Sequence, residues 1–121
     1  MNKLKNQPYY VRVGYAVSGI KAVWQRESSF RIECGIALAT ILVMIVLQPG
    51  WLWAAIIALA IGLVFAFELV NSSLEYLIDH VHPDFAEAIG LAKDAAAGAV
   101  LLASLGALAA GLMMLASTVR F

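Results

Sequence analysis

Phe67-Glu68-Leu69-Val70-Asn71-Ser72-Ser73-Leu74-Glu75-Tyr76-Leu77-Ile78-Asp79 closes an apolar run that begins at Trp51. At 100° per residue, Glu68, Asn71, Ser72, Glu75 and Asp79 fall within about 100° of arc on a helix. Leu, Val, Phe, Tyr and Ile fill most of the remaining circumference. The stretch therefore predicts an oily rod with one narrow acidic stripe, and Glu68 falls where the rod is still at membrane depth. A carboxylate there is expensive to bury, which marks it for a function or a partner.

Trp51 to Val70 has the length needed to cross a hydrocarbon core of about 30 Å. The helical stripe then continues to about His80, leaving the bilayer. Upstream, Gln48-Pro49-Gly50 predicts a tight uncharged turn. Before it, Ile32 to Leu47 is a shorter apolar run. Phe30 and Arg31 extend it to a span over about 30–47, with Arg31 snorkelling to the interface. Residues 9–27 read as an amphipathic helix with Val13, Val17, Ile20, Val23 and Trp24 on one side and Arg12, Lys21 and Arg26 elsewhere. Its basic groups and its aromatics Tyr9, Tyr10, Tyr15 and Trp24 suit the plane of a membrane surface.

Downstream, residues 80–94 read as a polar loop. Pro83 is placed to start a new helix, with Asp84 and Glu87 in its first turn, where the helix dipole favours anions. The third span is predicted over about 95–117. In it Ala103, Ala107 and Gly111 recur every four residues, a face that a neighbouring helix can approach closely.

Composition agrees with that reading. The 121 residues suffice for one domain, 1–121, and 63% are hydrophobic against 13% charged. A soluble domain averages about 45–50% apolar and about 25% charged. The expected class is an all-α integral membrane protein, with three transmembrane helices plus an N-terminal amphipathic surface helix. A net charge of zero gives no field for nucleic acid. Lone Cys34 makes no internal disulfide, and His80 and His82 lack a third ligand at zinc spacing. Lys3 and Lys5 are followed by no signal-peptide apolar region.

Six of the eight Lys and Arg residues fall in residues 3–31, Lys93 falls in the polar loop, and Arg120 lies beyond the third span. The positive-inside rule then puts the N-terminus in the cytoplasm and the C-terminus outside. Three spans make a thin bundle with few places to hide a carboxylate. An oligomer is therefore expected, its acidic stripe facing a neighbouring subunit.

The acids gather at one level: Glu27 before the first span, Glu68, Glu75 and Asp79 late in the second, and Asp84, Glu87 and Lys93-Asp94 after it. Magnesium takes oxygen ligands, commonly one or two carboxylates plus phosphate oxygens. A lysine beside such a site meets phosphate charge. A membrane-depth Glu with Asn71 one turn away can accept a proton from an alcohol held in the bilayer. Solvated helix ends also carry such charges. Neither G-x-x-x-x-G-K-[ST] nor a Gly-rich kinase loop is present, so nucleotide use here requires another architecture.

Glu68, Asn71, Ser72, Ser73, Glu75 and Asp79, with aliphatics between, resemble the signature of the bacterial integral-membrane diacylglycerol kinases. The resemblance extends to Gly14-Tyr15, Gly19, Ala22 to Trp24, Glu27, Phe30-Arg31 with Glu33, and Ala92-Lys93-Asp94 followed by Gly98 to Leu102, without gaps. It implies a helical-bundle homotrimer of the bacterial inner membrane. Such an enzyme passes the γ-phosphoryl of ATP, held with Mg2+, to the hydroxyl of diacylglycerol, giving phosphatidic acid. By the same resemblance Glu68 is the proton acceptor, and Glu27 and Glu75 hold the metal and with it ATP. Tyr15, Asp84-Phe85-Ala86 and Lys93-Asp94 contact the nucleotide. The lipid substrate lies along Arg12, Lys21, Trp24, Ser29, Phe30, Arg31 and Glu33, with Glu68 and Ala97 nearby. Asn71 orients Glu68 or the phosphate.

The chain departs from the family pattern at Pro8, where an Arg is usual, at Phe85-Ala86, where Tyr-His is usual, and at Gly111, where a Trp is usual. Undecaprenol is the rival substrate within the family. A small proton-coupled transporter using Glu68 alone is the rival of another class, and a purely structural membrane oligomer is a third. The transporter reading needs only Glu68 and does not explain Glu75, Asp79 and Lys93-Asp94 together, and in the structural oligomer the acids are merely solvated.

Overall fold

The computed structural model describes residues 5–119. Lys3 and Arg120, which contribute to the expected orientation, lie outside the described residues. Four helices follow one another: α1 (Tyr9–Arg26), α2 (Ser28–Leu47), α3 (Trp51–Val81) and α4 (Glu87–Thr118). The last three are each long and apolar enough to cross a membrane, so the chain is a multi-pass membrane protein.

Helix lengths explain where the acids sit. At 1.5 Å per residue α2 is about 30 Å long, a bare bilayer core, whereas α3 and α4 are about 46 and 48 Å. Their surplus lies at the end where they meet, so the last turns of α3 and the first turns of α4 project beyond the hydrocarbon. That projection carries Glu75, Asp79, Lys93 and Asp94.

The two long helices form the principal packed pair, and α2 touches α3 at only a few points. The core is correspondingly small: Val23, Phe30, Ala37, Ile57, Val64, Ala103 and Met114 are buried. Phe30 packs on Phe65 with ring centroids 5.4 Å apart. Val46, Leu59 and Leu102 point outward, as side chains facing lipid do. On α1 only Val23 is buried, and the rest of its apolar side is open, which fits a helix lying on a membrane surface.

Two expectations need correcting. The polar loop is far shorter than residues 80–94, because α4 begins at Glu87 with Ala86 as its cap, leaving only residues 82–86 between helices. Pro83 and Asp84 precede that helix, and Glu87 is the acidic residue of its first turn. The proline holds His82 outside the helical region, at φ −142° and ψ 79°, and the His82 ring Nδ1 lies 2.9 Å from the Asp84 carbonyl.

The second correction concerns the acidic stripe. Its deeper part is covered by the chain's own helices: Glu68 and Ser72 are 6% and 2% exposed in the single chain. On α4, Ala103 is buried and Ala107 and Gly111, four and eight residues on, are half-buried. Gly111 also borders a cavity of about 520 Å³ between α2, α3 and α4, left open because α2 stands away from α4, and a Cβ added there meets nothing within 4 Å.

The turn between α2 and α3 is set by two left-handed residues, Gln48 at φ 50° and Gly50 at φ 100°, ψ 165°. The second conformation is essentially confined to glycine. Gly50→Ala is therefore expected to destabilise the fold by about 1–3 kcal/mol, read as an earlier thermal unfolding transition in detergent. Its Cβ would meet no neighbour, so the loss reports backbone strain alone.

Candidate active site

Glu27 is the sole residue between α1 and α2. It caps the end of the first helix and the start of the second, at φ −108° and ψ 111°. Its side chain makes no capping bond. Instead Oε1 accepts a 2.7 Å hydrogen bond from the hydroxyl of Tyr76 on α3. The guanidinium of Arg26 lies over the Tyr76 ring, 5.3 Å from its centroid. One turn or less from this clasp, Glu75 is half-buried and acts electrostatically on both the Tyr76 phenol and the Lys93 ammonium.

Deeper on the same edge of α3, Glu68 Oε1 accepts a 2.8 Å hydrogen bond from the Ser29 hydroxyl on α2. This bond addresses the cost of burying a carboxylate. Glu33, also on α2, is close enough to Glu68 for the two charges to repel, and its Oε2 is buried without a partner among the described residues. The Oδ1 of Asn71 is buried and unpartnered in the same way. Glu33 thus sets a second carboxylate against Glu68, and Asn71 lies one turn along α3 from it. Glu33 also borders the apolar cavity, so polar oxygens meet an apolar slot there.

Toward the water, Lys93 Nζ donates a 2.6 Å hydrogen bond to Asp79 Oδ1 in an ion pair. This pair forms one wall of a second cavity, of about 210 Å³, which Asp84, Phe85 and Ala86 also border. The residues expected to touch nucleotide therefore divide. Asp84, Phe85, Ala86 and Lys93 share a cavity, and Glu75 is near enough to Lys93 and to Tyr76 to act on both electrostatically. Tyr15 and Asp94 are exposed and make no side-chain bond among the described residues.

Of the expected lipid contacts, Ser29 and Glu33 are beside Glu68, and Phe30 is a buried packing residue. Arg31 turns back along the chain, its Nη1 donating to the Trp24 carbonyl at 2.6 Å. Arg12, Lys21, Trp24 and Ala97 lie exposed on α1 and α4. Tyr76 and Arg26 are additions that sequence spacing did not single out as site residues. Tyr76 reads there as one more aromatic in an apolar run, and its partner is 49 residues away.

The donor set can also be tested against a metal. No group of three or more His, Cys, Asp or Glu residues positioned to hold a metal occurs among the described residues. A cation here would have at most a carboxylate pair from the protein. That suits magnesium, which keeps several waters and shares its shell with phosphate oxygens. Glu27 has its second oxygen without a hydrogen bond among the described residues, so the residues fit that ion.

Residues 14–115 match the family described as prokaryotic diacylglycerol kinase. A diacylglycerol kinase of Escherichia coli K12 is 30% identical over 90 residues, 74% of either chain. One from Synechocystis is 36% identical over 98 residues, covering 80% of this chain and 56% of the relative. One from Helicobacter pylori J99 is 33% identical over 88 residues, 73% of this chain and 69% of the relative.

Proposed function

The chain belongs to the prokaryotic diacylglycerol kinase family, and on that premise we propose that residues 1–121 form one membrane-embedded kinase domain that phosphorylates diacylglycerol from ATP at the edge of the bilayer. The observation that carries the reading is the pairing of two carboxylates on one edge of α3: buried Glu68, held by Ser29, and half-buried Glu75, seven residues nearer the water.

Phosphoryl transfer demands positioning and charge neutralisation more than covalent help from the protein. Glu68 accepts the proton of the lipid hydroxyl as its oxygen attacks the γ-phosphorus and ADP departs. Asn71 and Glu33 offer unpartnered oxygens beside that hydroxyl. The apolar cavity reaching Glu33 gives hydrocarbon somewhere to lie. Lys93 neutralises phosphate charge on leaving Asp79, and the loop cavity at Asp84, Phe85 and Ala86 receives the nucleotide. Glu27 and Glu75 would hold Mg2+, whose charge offsets that of the ATP phosphates. With the positive-inside rule, this chemistry faces the cytoplasm at the inner membrane, and the C-terminus is outside. The homotrimer is part of the proposal. Crosslinking in bilayers should stop at three subunits, and monomers alone would refute it.

The test is purified protein in bilayers with γ-labelled ATP, magnesium, and either diacylglycerol or undecaprenol. Label should pass to diacylglycerol in preference. Preferential labelling of undecaprenol overturns the substrate, and labelling of neither overturns the kinase.

Ser29 supplies a smaller prediction. A hydrogen bond to a charged group contributes about 1.5–3 kcal/mol, so Ser29→Ala should lower kcat by about 10-fold. The KM for ATP should stay unchanged, and Ser29→Thr, which keeps the hydroxyl, should restore the rate. Steady-state kinetics at saturating magnesium read the result.

A further inference from the structure

We propose that Tyr76 is a positioning residue for the divalent cation: its hydroxyl clasps Glu27 to α3 and sets the separation between the Glu27 and Glu75 carboxylates. The inference deepens the proposed function and rests on its assignment of those two glutamates to the metal.

Glu27 would otherwise be poorly placed for such a role. It is one extended residue between two helices, where a small change in ψ swings its side chain. The bonds around it are backbone bonds: its own N–H to the Val23 carbonyl at 2.8 Å, and the Arg31 N–H to its carbonyl at 3.4 Å. They fix the main chain and leave the carboxylate free to turn. The Tyr76 hydroxyl removes that freedom by a 2.7 Å bond to one carboxylate oxygen. Tyr76 follows Glu75 directly on a rigid helix, so the same bond fixes Glu27 relative to Glu75.

The ring is itself held. Arg26 covers one face at 5.3 Å, and the attraction of a cation for a ring face resists rotation of the ring away from Glu27. Arg26 is the last residue of α1 and Glu27 follows it, so two consecutive residues grip one aromatic. Groups that orient metal ligands from behind commonly contribute 10–100-fold in affinity.

The clasp has a rival, purely structural role, which is to pin the surface helix to the bundle. That role predicts a different result. Arg12, Lys21 and Trp24 on α1 belong to the expected lipid contacts, so a loosened α1 would raise the KM for lipid. A misplaced Glu27 would weaken cation binding and leave the lipid untouched.

The experiment uses the full chain in phosphatidylcholine bilayers, with Mn2+ as probe in the presence of a non-hydrolysable ATP analogue. Free Mn2+ is followed by electron paramagnetic resonance, and lipid KM is measured separately. Tyr76→Phe keeps the ring beneath Arg26 and removes only the hydroxyl. It should weaken Mn2+ binding by about 10-fold and change lipid KM by less than about twofold. Glu27→Gln should weaken Mn2+ binding at least as much, and the double variant should be no worse than Glu27→Gln alone. If Glu27→Gln weakens Mn2+ binding and Tyr76→Phe does not, the clasp is overturned and the two-glutamate site stands. A rise in lipid KM matching the loss of Mn2+ affinity overturns it in favour of the structural role. Unchanged binding in Glu27→Gln overturns the underlying metal assignment, and the clasp with it.

Discussion

Glu68→Gln is expected to lower turnover by about three orders of magnitude while the protein still folds and still binds nucleotide. A positioned general base contributes about 10²- to 10⁴-fold, and Glu68 is the one carboxylate of its α3 edge that is buried. Glutamine keeps the shape and an oxygen that can accept the Ser29 hydrogen bond. It cannot take a proton from an alcohol. A neutral amide is also cheaper to bury than a carboxylate beside Glu33. The thermal transition of the variant should therefore match or exceed that of the parent. Turnover and unfolding measured on one preparation separate this outcome from simple misfolding, which would lower both.

Glu75→Ala should raise the magnesium concentration needed for half-maximal rate by about 100-fold, as expected when one of two carboxylate ligands is lost. The KM for diacylglycerol should hold, because Glu75 lies on the projecting part of α3, two turns above Glu68. Lys93 retains its partner Asp79 in this variant, so loss of the lysine does not explain the effect. A magnesium titration of rate at saturating lipid gives the number. Glu75→Gln should fall between parent and alanine, since an amide oxygen remains a ligand without the charge.

The sequence is most informative where spacing within one helix carries the information. The stripe from Glu68 to Asp79 lies on a single helix, α3, so its angular arrangement follows from residue numbers. What joins elements is less legible. Ser29 meets Glu68 across 39 residues and Tyr76 meets Glu27 across 49, and no periodicity links positions so far apart. The turn at Gln48-Pro49-Gly50 is marked by its own residues, and Gly50 takes a conformation suited to glycine. Pro83 misleads because proline is compatible both with a helix start and with the extended residues before one. Here the chain runs three more residues before α4 begins at Glu87.

A thin bundle has few places to hide a carboxylate, and the one that takes Glu68 has a definite origin. α2 meets α3 at the Glu68 level through Phe30 packed on Phe65, and that contact brings Ser29 over the acid. Small residues on α4 signal close packing, and Ala103 is buried, while Gly111 on the same face borders an open slot. Whether a small residue admits a helix or leaves a space depends on what stands opposite, which one helix's sequence does not contain.

Equilibrium binding of MgATP to Glu68→Gln and Glu75→Ala, compared with the parent protein in the same bilayers, tests most directly the division of labour along α3. The deeper substitution should leave the dissociation constant within about twofold, and the shallower one should raise it by at least about 10-fold. Equal binding by the two variants, or weaker binding by Glu68→Gln than by Glu75→Ala, would contradict it.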